Sequence, residues 1–156
     1  LYANPDGKVL DTVYTDGDYD SPDKGKEAAL SLFGKGADVV YHVAGKTGLG
    51  VFEAAKEQGK YAIGVDSDQK YIDPDTIICS MIKDAGGSVY EAVANLLEDG
   101  VFEGGAIWEA DMASGYVKLG YGDETMTQQV SDELKAEVEA LAEKIVSGEI
   151  VVESTR

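Results

Sequence analysis

The sequence is poor in the residues that build disulfides and metal clusters. Its 156 residues include one cysteine, Cys79, and one histidine, His42. A single cysteine excludes a disulfide within the chain and any cysteine-based metal cluster. A lone histidine leaves metal binding to carboxylates alone. We therefore predict neither a metal site nor a cofactor.

Basic residues and long apolar runs are also scarce. The sequence has thirteen Lys and Arg and thirty Asp and Glu, which gives a formal net charge of −17 at pH 7. A chain this acidic repels phosphate backbones and carries no basic stripe, so nucleic acid is not an expected partner. No apolar run approaches the ~20 residues that a membrane-spanning helix needs. The 44% hydrophobic and 28% charged content is typical of one globular domain.

The first residues suggest an interrupted element. The chain opens on Leu1, without a charged and apolar leader, and two turn pairs follow, Asn4-Pro5 and Asp6-Gly7. This opening resembles the end of a helix followed by a turn. We expect the chain to be part of a longer protein.

Alternating strand and helix patterns predict an α/β fold. The predicted strands are Lys8–Thr15, Ala37–Val43, Tyr61–Val65, Thr76–Met81, Ala106–Ala110 and Tyr116–Gly120. The predicted helices run from Ser21-Pro22 to Gly34 or Gly36, from the Gly45–Gly50 turn through Glu57 to Gly59, over Ser88–Glu98 and over Ser131–Ser147. Strands separated by such helices imply parallel pairing with right-handed crossovers. We predict one domain, residues 1–156, with a three-layer α/β/α arrangement around a mainly parallel sheet.

Four loops are expected to meet where the parallel strands end. In open parallel sheets, ligands bind beyond the carboxyl ends of the strands. The loops there are predicted to carry Tyr19, a glycine turn at Gly45, the carboxylate of Asp66 and the amine of Lys83. Carboxylates accept hydrogen bonds from vicinal hydroxyls, and an aromatic ring stacks on a flat ring. These residues suit a neutral polar ligand that carries both hydroxyl groups and a flat ring.

The glycine turn does not match a phosphate-binding motif. Gly45-Lys46-Thr47 resembles the end of a P-loop, but the first glycine of that motif would fall at Val40. A tight strand-to-helix turn is the alternative interpretation.

Candidates for nucleophilic catalysis are few. Cys79 lies in an apolar strand and is expected to be a small buried hydrophobe. His42 lies between Tyr41 and Val43 and is expected to be a hydrogen-bonded structural histidine. Asp66 and Asp68 are too few for a calcium site, so we assign Asp66 to binding and Asp68 to a solvated turn.

Two segments resemble the signature of a known family. Asp38–Val40 leads to Val43–Ala55, with the turn Ala44-Gly45-Lys46-Thr47-Gly48, and Tyr61–Gln69 contains Gly-Val-Asp-Ser-Asp-Gln. Both resemble the basic membrane protein family of substrate-binding lipoproteins, purine-nucleoside receptors of ABC-type importers built like type I periplasmic binding proteins. Supporting similarities lie at Pro22–Ala29, Ser80–Lys83 and Val130–Ile150.

The resemblance implies a two-lobed receptor of which this chain is the second lobe. The first lobe and a lipid anchor would lie upstream, which implies an extracytoplasmic lipoprotein at the cell membrane. The implied partners are a purine nucleoside, the missing N-terminal lobe and an ABC transporter permease. The implied protein binds and releases its ligand without turnover, by closing its lobes over it.

The resemblance also implies roles for six residues. Tyr19 would stack on the purine, Asp66 would accept hydrogen bonds from the ribose hydroxyls, and Lys83 would donate to the ribose side. The glycine turn would contribute backbone contacts from Ala44, Gly45 and Gly48.

Three departures from the family pattern leave the ligand open. Lys46 replaces a glycine, Asp84-Ala85-Gly86 replaces a stretch that contains arginine, and Tyr116–Gly122 only loosely matches a glycine-rich segment. The nucleoside is therefore not specified, and a sugar is an alternative ligand. Two other functions stay open: a flavodoxin-like enzyme acting on nucleosides, and a cytoplasmic ligand-sensing regulator. An isolated lobe would also be expected to form a homodimer through the face its partner covers.

Overall fold

The computed structural model describes residues 6–100 and 104–152 and contains a four-stranded sheet. The strands, in spatial order, are β1 (Val39–Tyr41), β2 (Tyr61–Asp66), β3 (Ile77–Lys83) and β4 (Val117–Gly120). The first three run parallel, whereas β4 is antiparallel to β3. The α/β class and the mainly parallel sheet are therefore confirmed. The predicted opening at Leu1–Pro5 lies outside the described residues.

Four helices accompany the sheet in the part of the chain that the structure describes. They are α1 (Pro22–Gly34), α2 (Gly48–Gln58), α3 (Ala85–Asp99) and α4 (Asp132–Val146), with short 3-10 turns at Gly45–Thr47 and Lys70–Ile72. Pro22 starts α1, as proline at a first helical position should. Gly59, with φ of 60°, ends α2 in the left-handed conformation that glycine favours.

The core lies between the α1–α2 pair and one face of the sheet. A Cβ on Gly25 of α1 would come 1.9 Å from the Thr47 carbonyl oxygen, and one on Gly50 of α2 would come 1.8 Å from that of Pro22. The two helices can therefore pack this closely only with glycine at both positions. The buried apolar side chains are Ala29, Phe33, Ala37, Val40, Val51, Phe52, Ala54, Ala55, Ala62 and Ile77.

Two predicted strands are wrong. Lys8–Thr15 has no regular secondary structure, and residues 8–14 make no backbone hydrogen bond to another part of the described chain. Ala106–Ala110 is likewise unpaired within the described residues. High β-propensity alone does not make a strand, because a strand requires a hydrogen-bonded neighbour. For β1, only Val39–Tyr41 of the predicted Ala37–Val43 is paired.

The helix starts also differ from the prediction. Ser21 occupies the N-cap position of α1, but its hydroxyl donates to the Asp18 carboxylate and does not cap the helix. Helix α3 starts three residues early, because the Asp84 carboxylate accepts a hydrogen bond from the Gly87 N–H. The predicted apolar side of α3 is largely exposed to solvent, at Val89, Val93, Leu96 and Leu97.

Candidate functional site

The carboxyl ends of β2 and β3 bring two of the predicted site residues into contact. Asp66 is the last residue of β2 and Lys83 the last of β3. Their side chains form an ion pair with 2.6 Å between Oδ1 and Nζ, and both stay about half exposed, at 57% and 52%. The parallel register, in which Asp66 pairs with Ile82, produces this contact. A carboxylate and an amine thus lie together at the rim where a ligand was expected.

The loop that follows β2 holds Asp66 in an uncommon backbone conformation. Its φ is 70°, in the left-handed region that non-glycine residues seldom occupy. Gln69 supports this turn, because its side-chain oxygen accepts from the Val65 N–H at 2.8 Å and its own N–H donates to the Ser80 hydroxyl at 3.0 Å. A Cβ on Gly64 would lie 2.6 Å from that hydroxyl oxygen, so only glycine fits. Such local strain is typical of functional sites.

Asp68 is not the solvated turn residue that was predicted. One of its carboxylate oxygens accepts from the Lys70 N–H at 3.1 Å, and the other accepts from the Gly122 N–H at 2.8 Å. A Cβ on Gly120 would come 2.6 Å from Asp68 Oδ2. Asp68 therefore ties the end of β2 to the segment after β4. Asp66 alone of the two carboxylates is left to a ligand.

Tyr19 lies against the glycine turn. Its side chain is 62% exposed, and its Cβ would be 3.4 Å from a Cβ placed on Gly45. Gly45 has φ of 54°, which favours glycine. The Thr47 N–H donates both to the Tyr19 carbonyl oxygen at 3.3 Å and to that of Ala44 at 3.1 Å. The turn and the aromatic side chain are therefore neighbours, as predicted.

Thr47 fixes this arrangement from inside the protein. It is fully buried, and its hydroxyl donates to the Asp18 carbonyl oxygen at 2.8 Å and accepts from the Ser21 N–H at 2.9 Å. The loop before α1 is thereby attached to the turn after β1. Asp18 also contacts Lys24 and Ser21, and these contacts lower the pKa of its carboxyl to about 2.

Two further residues of the turn differ in their surroundings. Gly48 is buried beneath His42, since a Cβ there would come 2.0 Å from the ring nitrogen Nδ1. Lys46 is largely exposed and forms an ion pair with Asp20 at 3.1 Å. The lysine that departs from the family pattern thus carries its charge at the outer edge of the Tyr19 loop.

Tyr41 is an aromatic residue near the Asp66–Lys83 pair that sequence reasoning missed. It is the last residue of β1, and its side chain is 46% exposed. Burial raises its pKa, while the nearby charges of Lys83 and Asp66 act in opposite directions on it. Residues 39–42 alternate between exposed and buried in the structure, but the nearly continuous apolar sequence of β1 does not reveal which side chains face outward.

The two residues considered for catalysis, His42 and Cys79, are both buried. His42 lies edge-on to Phe52, 5.0 Å between ring centres, and neither ring nitrogen makes a hydrogen bond among the described residues, so the expected hydrogen bond is wrong. Burial lowers the pKa of His42, and the nearby Gln69 side chain opposes this shift. Cys79 is confirmed as a buried hydrophobe, and burial raises the pKa of its thiol.

No group of three or more His, Cys, Asp or Glu side chains in residues 6–100 and 104–152 is arranged to hold a metal ion. Within the same ranges, no helix has both the length and the apolar character needed to span a bilayer.

Comparison with known proteins gives one family match and several relatives. The model of the Bmp family, described as "ABC transporter substrate-binding protein PnrA-like", matches residues 1–156. Basic membrane protein A1 of Borrelia garinii subsp. bavariensis is 36% identical over 97% of this chain, which corresponds to 44% of that protein. Basic membrane protein A of Borreliella burgdorferi is 36% identical over 99% of this chain and 44% of its own length. The chain thus spans less than half of the relatives it matches.

Three solved structures resemble this fold, and each is also matched over less than half of its own length. An ABC transporter solute-binding protein from Aeropyrum pernix K1 has a TM-score of 0.72 at 28% identity, covering 89% of this chain and 46% of that one. A solute-binding protein from Conexibacter woesei has a TM-score of 0.74 at 25% identity, covering 97% and 48%. The structure of a transcriptional activator of the comK gene from Bacillus halodurans has a TM-score of 0.71 at 26% identity, covering 86% of this chain and 45% of that one.

Proposed function

Because the chain belongs to the Bmp family of PnrA-like ABC transporter substrate-binding proteins, we propose that it forms one lobe of a receptor for a purine nucleoside. The receptor closes its two lobes over the nucleoside and delivers it to an ABC transporter permease. In this proposal residues 1–156 are the second lobe, and the first lobe and a lipid anchor belong to a longer protein outside the cytoplasm. The protein binds its ligand and releases it chemically unchanged.

The exposed carboxylate of Asp66 at the carboxyl end of β2 carries the proposal. Ribose presents two neighbouring hydroxyl groups, and a carboxylate can accept a hydrogen bond from each. Asp66 ends β2 in a left-handed turn (φ 70°), and its side chain is 57% exposed. Lys83, 2.6 Å away, supplies a donor on the same side. Together they match the alternating donors and acceptors of a sugar.

The second group of residues suits the base. Tyr19 is exposed beside Gly45, and a tyrosine ring can stack on a purine. Gly45 has no side chain, so a flat ring can approach its backbone closely. The glycine turn follows β1 and Asp66 ends β2; because these strands are neighbours and parallel, both groups lie at the carboxyl ends of the strands.

Nucleoside titration of the full-length protein tests the proposal. Calorimetry with guanosine and adenosine compares wild type with Asp66→Ala, which should lose about 1–3 kcal/mol of binding energy, or roughly 5- to 150-fold in affinity. Asp38→Ala is the matched control, because Asp38 also forms a 2.6 Å ion pair, with Lys60, but lies before β1 at the opposite edge. Equal affinities for the two variants would remove Asp66 from the site.

Two further measurements separate binding from other functions. The 156-residue chain should bind nucleosides only weakly, because half of the contacts come from the other lobe. Submicromolar binding by this chain alone would contradict the two-lobe mechanism. Chromatography of nucleosides incubated with the protein should detect no free base, and its appearance would favour an enzyme.

A ligand-sensing regulator is the second candidate function. The similarity to the structure of the Bacillus halodurans transcriptional activator favours it. The net charge of −17 argues against direct contact of this chain with DNA. The complete reading frame distinguishes the two, since a leader that ends in a lipidation cysteine excludes a cytoplasmic regulator.

A further inference from the structure

The β1 edge of the sheet is open and apolar. Among the described residues β1 pairs only with β2, so its other edge has no neighbour. Val39 and Tyr41 are 40% and 46% exposed there. Parallel sheets are normally covered on both faces, and proteins seldom leave the unpaired edge of an apolar strand unprotected. An edge of this kind is a template for another strand.

The pairing of β1 with β2 shows which backbone N–H and C=O groups of β1 lack a hydrogen-bond partner among the described residues. The Tyr61 N–H donates to the Asp38 carbonyl oxygen at 3.1 Å, so residue 38 points toward β2. Successive strand residues direct their backbone groups to opposite sides. Residues 39, 41 and 43 therefore direct N–H and C=O away from β2, and no backbone partner for them occurs in the described chain.

A segment without regular secondary structure lies opposite this edge. Lys8–Thr15 has the sequence of a strand, but residues 8–14 have no backbone partner among the described residues. A cavity of about 1260 Å³ separates it from β1. Ala28, Ala29 and Leu32 of α1 also line this cavity. We call this space, between Lys8–Thr15 and Val39–Ala44, the strand slot.

The size of the strand slot matches one strand. A strand residue occupies about 160 Å³, from a rise of ~3.3 Å, a strand spacing of ~4.8 Å and a sheet thickness of ~10 Å. The cavity of about 1260 Å³ therefore holds about eight residues. Lys8–Thr15 is itself eight residues long. A small ligand would leave the two rows of backbone groups unpaired, whereas a strand satisfies both.

We propose that the strand slot receives one extended, mainly apolar segment of polypeptide from sequence outside these 156 residues. The Borrelia garinii relative, of which this chain covers 44%, has more than enough additional sequence to provide one. The inserted segment bonds to residues 39, 41 and 43 on one side and to Lys8–Thr15 on the other. It thereby converts Lys8–Thr15 into the strand its sequence predicts and extends the sheet to six strands.

Hydrogen exchange measured by NMR on the 156-residue chain tests the proposal. The probe is a soluble peptide of eight alternating Val and Ile residues flanked by lysines, and the control peptide has proline at two central positions. The first peptide should slow exchange of the Val39, Tyr41 and Val43 amides by roughly tenfold or more. The Val40 and His42 amides, which point toward β2, should change little. Proline lacks the N–H that pairing requires, so the control peptide should have no effect.

Three outcomes would overturn the proposal. They are unchanged exchange at residues 39, 41 and 43, equal slowing by the proline peptide, and concentration-dependent protection without peptide. The last outcome would assign the strand slot to a second copy of this chain. Joining the same eight-residue segment ahead of the chain through a flexible glycine-serine linker raises its local concentration. Lack of protection in that fusion as well would exclude weak affinity as the explanation.

Discussion

Replacing the buried hydroxyl of Thr47 should loosen the connection that positions Tyr19. Valine has nearly the same shape as threonine but can neither donate to the Asp18 carbonyl oxygen nor accept from the Ser21 N–H. Two hydrogen bonds are lost, and their partners are left unpaired beside a fully buried side chain. We expect Thr47→Val to lower the free energy of unfolding by about 3 kcal/mol.

Thermal unfolding followed by circular dichroism measures this loss. For a domain of this size, 3 kcal/mol corresponds to a Tm decrease of roughly 6–12 °C. Thr47→Ser keeps the hydroxyl and should lose less, and Thr12→Val at an exposed position should melt near wild type. If Thr47→Val melts within about 2 °C of wild type, the hydroxyl does not hold the loop and the reasoning is refuted.

Two other perturbations test the packing around the glycine turn. Burial lowers the pKa of His42 in the folded chain. When the pH falls below the ordinary histidine pKa of about 6.5, the unfolded chain therefore takes up a proton that the folded chain does not. The free energy of unfolding should then fall as pH drops from about 6.5 to 5, by at most ~1.4 kcal/mol per pH unit. His42→Phe should remove this slope in urea titrations, because His42 is the sole histidine, and a persisting slope would assign it elsewhere. Gly50→Ala should destabilise the chain more than the control Gly34→Ala. A Cβ at residue 50 would lie 1.8 Å from the Pro22 carbonyl oxygen, whereas a Cβ at residue 34 would have no neighbour within 4 Å. Equal melting temperatures of the two variants would contradict the close packing of α1 and α2.

Local patterns predicted the elements that hold the site together. Helix α4 was predicted from apolar periodicity and its terminal acidic and glycine residues, helix α2 from the glycines that precede and end it, and β2 and β3 from short apolar runs. Because parallel strands end at a common edge, the contact between Asp66 and Lys83 was implied once those strands were recognised. The family resemblance supplied the roles of these residues, which periodicity cannot.

What sequence reasoning missed depends on partners far along the chain. Asp68 was taken for a solvated residue because its partner Gly122 is 54 residues away. His42 was expected to find a hydrogen bond, but the ring packs between Gly48 and Phe52, and neither of its nitrogens makes a hydrogen bond within the described residues. Lys8–Thr15 has the composition of a strand, yet pairing depends on a neighbour that its own residues do not specify.

The carboxylate of Asp66 and the sugar hydroxyls form the interaction on which the nucleoside account depends. Calorimetry on the full-length protein can compare guanosine with 2′,3′-dideoxyguanosine, for wild type and for Asp66→Ala. The account predicts that wild type prefers guanosine by roughly tenfold or more, and that the substitution removes most of this preference. The same preference in both proteins would contradict it, because the hydroxyls would then be recognised by another group.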